Sequence, residues 1–227
     1  MYSPPRTRAF LITGLVCASL SLVLTVLVAV SWSPLTALDT TVADALHSRA
    51  VTEPGLVQVN RVLTDWVWDP WTMRVLTAVV VVLLWWHGSR LLAGWVAATS
   101  LFATLVQQGL KAAVGRERPR WLDPVDSAHY AAFPSGHVMT AAVTCGLLVW
   151  LLRLHGVPSS LWWGSLVLAV ISVAGVALTR VYLGVHWLSD VVGGTLLGGT
   201  VAGLSVAGYT GYIRRTRQPA GEEDPLL

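Results

Sequence analysis

Six long apolar runs, separated by shorter polar stretches, set the hydropathy pattern of this chain. A helix that crosses a bilayer needs about 20 consecutive, mostly apolar residues. The second and fourth runs are short between their flanking ionisable groups, and the fourth reaches spanning length only if Ala131–His137 joins the same helix. The pattern predicts six membrane-spanning helices: Phe10–Trp32, Trp71–Ser89, Leu91–Leu110, Val138–Leu152, Gly156–Thr179 and Val191–Ile213.

The expected fold class is therefore all-α, a polytopic membrane protein with six transmembrane helices. We treat residues 1–227 as one membrane-embedded unit with a core at 71–209 and a cytoplasmic tail at 214–227. The first run, 10–32, is longer than the apolar part of a signal peptide, which has about 7–15 residues, so we interpret it as a retained anchor. Residues 218–227 are polar and acidic, and we expect them to be disordered.

Two further segments carry helical patterns. Residues 33–70, between the first two spans, have apolar positions at helical spacing on either side of a break at Thr52–Gly55, which predicts short amphipathic helices on the membrane surface. The last span contains two glycine pairs four residues apart, which permit close helix packing either within the chain or between chains of a homo-oligomer. These glycines are Gly194, Gly198, Gly199 and Gly203.

Composition agrees with a membrane protein. The chain is 54% hydrophobic and 12% charged, and its mean hydropathy is +0.63, whereas a soluble globular protein carries about 25% charged residues. These values exclude a soluble, disordered, collagen-like or disulfide-stabilised chain. The net charge of +3 is small and scattered, so no nucleic-acid partner is expected. Cys17 and Cys145 both lie in apolar runs and predict no structural disulfide.

The arginine distribution predicts the orientation. Basic residues cluster on the cytoplasmic side of membrane proteins, and here they favour the side that holds both termini, while residues 33–70 are mainly acidic and would be extracytoplasmic. Some basic residues fall on the predicted outer side against this rule and need another explanation. They are Lys111, Arg116, Arg118, Arg120 and Arg180.

Ionisable groups near the membrane are functional candidates, and three clusters lie at the predicted outer ends of the last four helices. In the first, His186 and Asp190 share a helix face, so the aspartate can fix the imidazole tautomer and leave the other ring nitrogen as a nucleophile or base. Arg180 lies six residues upstream. The alternative is a purely structural His–Asp pair that caps a helix.

The second cluster is Pro134-Ser135-Gly136-His137, directly before an apolar helix. Ser135 suits an N-cap, Gly136 lets a ligand approach the backbone, and a helix N-terminus favours an anion, beside which His137 would stand. The alternative is a simple helix cap.

The third cluster supplies cations. Lys111 and Arg118 precede a helix-stopping Pro119, and arginine matches phosphate oxygens bidentately. No carboxylate cluster or His/Cys spacing suits a metal ion, so no metal and no cofactor is expected. Taken together, the three clusters indicate metal-free phosphoryl chemistry.

The sequence Lys-x6-Arg-Pro at 111–119, Pro-Ser-Gly-His at 134–137 and Arg-x5-His-x3-Asp at 180–190 resembles the type-2 phosphatidic acid phosphatase superfamily, in its bacterial integral-membrane lipid phosphatase branch. The likeness covers roughly residues 71–209. One departure is Thr179, where the family usually has serine before the arginine, but a hydroxyl is retained.

The resemblance implies a role for each residue. His186 would attack phosphorus and form a phosphohistidine, Asp190 would orient it, and His137 would protonate the leaving alkoxide and then activate water. Five further groups would hold the phosphoryl oxygens: Lys111, Arg118, Ser135, Gly136 and Arg180.

The expected function is thus a lipid phosphatase of the cell membrane with its active site facing the extracytoplasmic side. Its partners would be membrane lipids and a lipid phosphate substrate, with phosphatidylglycerophosphate, phosphatidate and polyprenyl diphosphate as candidates. The alternatives are a lipid phosphotransferase and a non-enzymatic anion-binding transporter or scaffold. A transporter needs the arginines but not His186 paired with Asp190. A haloperoxidase shares the anion site, but that branch of the family is soluble.

Overall fold

The computed structural model describes residues 7–217, and this part of the chain contains helices but no strands. In chain order the helices are α1 (Thr7–Ala29), α2 (Ser33–Ala50), α3 (Pro54–Val62), a π-helical turn (Leu63–Val67), α4 (Pro70–Trp86), α5 (Arg90–Val114), α6 (Gly136–Leu154), α7 (Ser159–Tyr182) and α8 (Leu188–Arg217). The predicted disorder of residues 218–227 lies outside the described residues.

Within the described residues, six stretches are long and apolar enough to cross a membrane, which confirms the predicted all-α, six-span fold. Two boundaries differ from the prediction. The second stretch, Pro54–Trp86, includes α3 and the π-helical turn, but Trp68 and Asp69 are not helical and separate these outer elements from α4. The fourth span, α6, has 19 residues and begins at Gly136. It includes only the last two residues of the stretch 131–137 and continues to Leu154.

Two glycine turns deliver the site residues to one end of the helix bundle. Gly115 ends α5 in the left-handed conformation, with φ +59°, and its N–H donates to the Lys111 carbonyl. Gly184 has φ +68° in the short connection from α7 to α8. A Cβ at Gly184 would also lie 2.5 Å from the indole nitrogen of Trp121, so the turn needs glycine for two reasons.

Helix α8 lies between α1 and α6, and its glycines make the close contacts on both sides. A Cβ at Gly198 would lie 2.5 Å from the Ala142 Cβ on α6. A Cβ at Gly203 would lie 3.0 Å from the Gly14 Cα on α1. A Cβ at Gly194 would lie 3.2 Å from the Met139 nitrogen on α6, and one at Gly199 would lie 3.2 Å from the Cys17 sulfur on α1. Of the two predicted uses of these glycines, packing within the chain is the one that the structure shows.

The segment 33–70 folds into the predicted short helices, but their apolar residues are divided between the exposed and the buried face. Leu56, Val59 and Val62 are exposed. The buried positions are mixed, three of them apolar and three polar: Ala43, Ala50, Val57, Asp39, Asn60 and Thr64. The faces of these outer helices that turn to the protein therefore carry polar groups beside apolar ones.

Candidate active site

The ends of α5, α6 and α7 and the connection that leads to α8 converge on a cavity of about 630 Å³. Six of the eight predicted site residues line it: Lys111, Arg118, Gly136, His137, Arg180 and His186. The other two, Ser135 and Asp190, are fully buried and bonded to each other, since the Ser135 N–H donates to the Asp190 carbonyl at 3.0 Å. The structure thus brings residues from three separate sequence clusters to one place.

His186 is held by both ring nitrogens. Its Nδ1 lies 3.2 Å from Oδ2 of Asp190, and its Nε2 lies 3.1 Å from a guanidinium nitrogen of Arg118. Because a guanidinium can only donate, Nε2 must be the acceptor. The proton therefore sits on Nδ1 and is donated to Asp190, while Nε2 presents a lone pair beside a cation.

Burial lowers the pKa of His186 well below its usual range, and the positive charges of Arg118, Arg180 and Lys111 lower it further. The imidazole is only 1% exposed and lies in the connection between α7 and α8. A lowered pKa keeps the ring neutral near pH 7, which preserves the lone pair that nucleophilic attack requires.

Asp190 has a separate partner for each oxygen. Oδ2 accepts from the Trp187 backbone N–H at 2.9 Å in addition to the His186 ring. Oδ1 accepts from Arg116 at 2.6 Å. The carboxylate sits in the first turn of α8, where the helix dipole also favours negative charge.

Backbone carbonyls fix the two cations of the first cluster. Arg118 donates to the carbonyls of His129, Tyr130 and Val185, so its guanidinium is tied to both the outer loop and the connection that carries His186. The Lys111 ammonium donates to the Ala131 carbonyl. Both side chains thus line the cavity in fixed positions, where they can meet an anionic group without large rearrangement.

Arg180 and Ser135 retain unused donors. Arg180 is 4% exposed and reaches the Thr64 hydroxyl at 3.5 Å, and its Nε has no partner within residues 7–217. Ser135 occupies the N-cap position of α6, but its hydroxyl makes no capping bond and has no other partner there. Ser135 is therefore the N-cap residue, as predicted, but its side chain does not make the hydrogen bond that usually accompanies that position.

Gly136 and His137 form the first turn of α6 and line the cavity. A Cβ at Gly136 would lie 2.5 Å from the side-chain nitrogen of Gln107. Gly136 thus packs closely against the Gln107 side chain on α5, a contact that the sequence did not indicate. His137 is half-buried and lines the same cavity as His186.

No group of three His, Cys, Asp or Glu side chains within residues 7–217 is arranged to hold a metal ion. The cavity wall does carry three carboxylates, Asp65, Asp69 and Asp126. Metal-independent chemistry therefore stays a prediction, to be tested by chelation.

The part of the sequence that forms this cavity matches a known protein family. The sequence model of the PAP2 superfamily matches residues 91–214, which include all three clusters. The chain belongs to the PAP2 superfamily.

Two individual proteins extend the comparison. Phosphatidylglycerophosphatase B of Bacillus subtilis (strain 168) is 35% identical over 116 residues, which is 50% of this chain and 56% of the relative. The alignment thus spans little more than half of that protein. The crystal structure of a transmembrane PAP2-type phosphatidylglycerolphosphate phosphatase from Bacillus subtilis superposes with a TM-score of 0.77, 24% identity, and coverage of 90% of this chain and 99% of that one.

The structural likeness shows the fold, and with the six candidate spans it identifies this PAP2 chain as a multi-pass membrane protein. The free thiols of Cys17 and Cys145 agree with the predicted lack of a disulfide.

Sequence reasoning missed two charged residues of this PAP2 site. Arg116 was noted only as a basic residue on the unexpected side, and Asp39 only as part of an acidic loop, yet Arg116 bridges Asp39 and Asp190. Helical spacing is the signal that points to Asp39. Asp39 lies four residues before Ala43 and eleven before Ala50, so the three residues share one face of α2, and both alanines are buried. A carboxylate on that face therefore needs a partner inside the protein.

Proposed function

We propose that this protein is a membrane lipid phosphatase that hydrolyses the phosphate monoester or diphosphate of a lipid through a phosphohistidine intermediate. The observation that carries the proposal is the His186 ring, whose Nε2 lone pair lies 3.1 Å from Arg118 in a cavity that Lys111 and Arg180 also line. A structural His–Asp pair or a simple anion carrier needs neither a defined tautomer nor a nucleophile placed among cations.

The first chemical step would be an in-line displacement at phosphorus. The Nε2 lone pair of His186 forms the N–P bond while the bond from phosphorus to the lipid oxygen breaks, and that oxygen keeps the bonding electrons. His137 donates a proton to the departing alkoxide. Asp190 accepts the Nδ1–H bond throughout, and so stabilises the positive charge that develops on the imidazole.

The second step would release inorganic phosphate. Water forms the new P–O bond as the N–P bond breaks, and His137 takes the proton from the water molecule. His186 recovers its lone pair, which restores the starting state. By microscopic reversibility, the residue that acts as acid in the first step acts as base in the second.

Electrostatic stabilisation of the phosphoryl group would come from cations and from neutral donors. Lys111, Arg118 and Arg180 supply positive charge in the cavity, and the first N–H groups of α6, together with the Ser135 hydroxyl, add neutral donors. Donors fixed in a site with little water stabilise developing negative charge strongly, because they do not have to reorient during the reaction.

Among the three candidate substrates we favour phosphatidylglycerophosphate. The name of the Bacillus subtilis relative supports this choice. The carboxylates on the cavity wall, Asp65, Asp69 and Asp126, support it as well, because they can accept hydrogen bonds from the hydroxyl of a glycerol group that joins the lipid to the reacting phosphate.

The test is release of inorganic phosphate by the purified protein in detergent, from a panel of phosphatidylglycerophosphate, phosphatidate and polyprenyl diphosphate. We expect hydrolysis that continues in excess EDTA and is inhibited by vanadate, with none in the His186→Ala variant. Release from no member of the panel would contradict the proposed function. Activity that disappears with EDTA and returns with Mg²⁺ would contradict the metal-free mechanism, and transfer of phosphate to an added alcohol in preference to water would favour a phosphotransferase.

A further inference from the structure

A buried network of charges connects helix α2 to the catalytic pair. Arg116 donates to Oδ2 of Asp39 and to Oδ1 of Asp190, each at 2.6 Å. Asp39 is 1% exposed and Asp190 is 0% exposed. The planar guanidinium matches this geometry, because one nitrogen serves each carboxylate.

Ser189 ties Asp39 to the start of α8. Its backbone N–H donates to Oδ1 of Asp39 at 2.8 Å, and its hydroxyl donates to Oδ2 at 2.6 Å while accepting from Arg116 at 2.6 Å. The first N–H groups of a helix have no partner within the helix. A carboxylate from α2 therefore supplies that partner for α8, one residue before Asp190.

The charge balance of the network explains why a second carboxylate is useful. Arg116 alone would neutralise Asp190 and weaken its attraction for a positively charged imidazole. Asp39 adds a second negative charge, so the group of Asp39, Arg116 and Asp190 keeps a net charge of −1. That charge faces His186, which Lys111, Arg118 and Arg180 surround with positive charge.

Stability alone is a poor explanation for this arrangement, since burying paired charges often gains little or nothing over apolar packing. Asp39 also lies outside residues 91–214, the part matched by the family model. The outer helix α2 thus contributes a carboxylate to a site that is otherwise formed mainly by the last four helices.

We propose that Asp39 is a positioning residue of the phosphatase reaction, which acts through Arg116 to hold Asp190 in orientation and charge against His186. This inference rests on the proposed function. It predicts a specific kinetic pattern, because Asp39 influences the nucleophile but touches neither the phosphate-binding cations nor the leaving group.

The experiment compares Asp39→Asn with wild type on an alkyl lipid phosphate and on p-nitrophenyl phosphate. We expect kcat to fall by about 10- to 100-fold, the range found when an outer partner that orients a functional side chain is removed. The factor should be the same for both substrates, whereas KM and the inhibition constant of inorganic phosphate should stay within about twofold. Asp44→Asn is the matched control, because Asp44 is exposed on the same helix, and it should behave as wild type.

A double-mutant cycle tests the route of the effect. If Asp39 acts through Asp190, adding Asp39→Asn to Asp190→Asn should lower kcat by less than about twofold further, since interacting residues are not additive. Multiplying losses would contradict the inference. So would an Asp39→Asn variant that keeps wild-type kcat, or one that loses kcat and phosphate binding together.

Arg116→Lys serves as a second test if Asp39→Asn does not accumulate as folded protein. A lysine keeps the charge but lacks the fork that bridges two carboxylates. It should show the same loss of kcat with an unchanged phosphate inhibition constant, and wild-type activity in this variant would overturn the proposal. A wild-type protein that hydrolyses no substrate of the panel contradicts the proposed function, whereas an active wild type with an equally active Asp39→Asn contradicts only this inference.

Discussion

At the scale of single residues, the two histidines of the cavity differ in how they are held. The His186 ring is fully buried, and both of its nitrogens are engaged, one by Asp190 and one by Arg118. The His137 ring is half-buried in the first turn of α6, and no such pair of partners fixes it within residues 7–217. A nucleophile benefits from a fixed tautomer and direction, whereas an acid that later serves as base must exchange protons with substrate and water.

These different environments predict different responses to substitution. His186→Ala should abolish turnover and the phosphoenzyme with every substrate, because no lone pair remains to attack phosphorus. His137→Ala should lose about 10²- to 10⁴-fold with an alkyl phosphate, whose alkoxide needs a proton. It should lose much less with p-nitrophenyl phosphate, because that phenolate leaves without protonation. Rates on both substrates, with acid-labile and base-stable ³²P labelling of each variant, are the measurements.

Asp190→Asn provides the intermediate case, since it keeps the nucleophile but removes the charge that orients it. Its rate should lie between those of the two alanine variants on aryl substrate. Labelling of His186→Ala at the wild-type level would refute the assignment of the nucleophile. Equal losses of His137→Ala on both substrates would refute the assignment of the acid.

What could be predicted at this scale depended on sequence distance. His186 and Asp190 are four residues apart and in contact, although the prediction that they share a helix face is wrong, because α8 begins at Leu188 and His186 lies in the connection before it. The short distance along the chain is enough to keep the two side chains together. Arg116 and Asp39 are brought to Asp190 by contacts between separate helices, and no local spacing reports such contacts. Similarly, the packing of Gly136 against Gln107 depends on how closely α5 and α6 approach. The sequence therefore predicted the catalytic pair, whose residues are close along the chain, but it did not predict the supporting contacts between separate helices.

At the scale of elements, hydropathy predicted the spans well because each long apolar run forms one helix. It was less informative for the outer helices, whose buried positions include Asp39, Asn60 and Thr64 beside apolar residues, while several large apolar side chains are exposed. A hydrophobic stripe normally marks the face that turns to the protein core. Here part of the buried face is polar, because Asp39 bonds to Arg116 and Thr64 lies within reach of Arg180.

The glycines of α8 give a prediction at the same scale. Gly198→Ala should destabilise the protein, because its Cβ would lie 2.5 Å from the Ala142 Cβ and 3.0 Å from the Met139 carbonyl oxygen. Overpacking of this kind costs about 1–3 kcal/mol, or roughly 2–4 °C in Tm for each kcal/mol in a chain of this size. Thermal unfolding in detergent measures the change.

Gly164→Ala is the control for this substitution. Gly164 lies within α7, and a Cβ there would have no neighbouring atom within 4 Å. The substitution should leave Tm unchanged or raise it, since alanine is the better helix former. Equal Tm values for Gly198→Ala and wild type would contradict the close contact between α6 and α8 at this position.

At the scale of the whole molecule, most of the basic residues that oppose the positive-inside rule lie in or beside the candidate active site. Lys111, Arg118 and Arg180 line the cavity, and Arg116 belongs to the network behind it. Only Arg120 is left at the exposed surface among these five, where it pairs with Glu117 at 3.1 Å. Because four of these five basic residues belong to the cavity or to the network behind it, their positive charge does not contradict the prediction that this end of the bundle is extracytoplasmic.

The orientation itself can be tested with single cysteines in a Cys17→Ala, Cys145→Ala background. Ser127 is exposed at the mouth of the cavity and Ser159 is exposed at the start of α7, at the opposite end of that helix from Arg180. We expect a membrane-impermeant thiol reagent to label Ser127→Cys in intact cells and to label Ser159→Cys only after the membrane is opened. The reverse pattern would place the cavity on the cytoplasmic side, and the proposed substrate would then have to be a lipid of the inner leaflet.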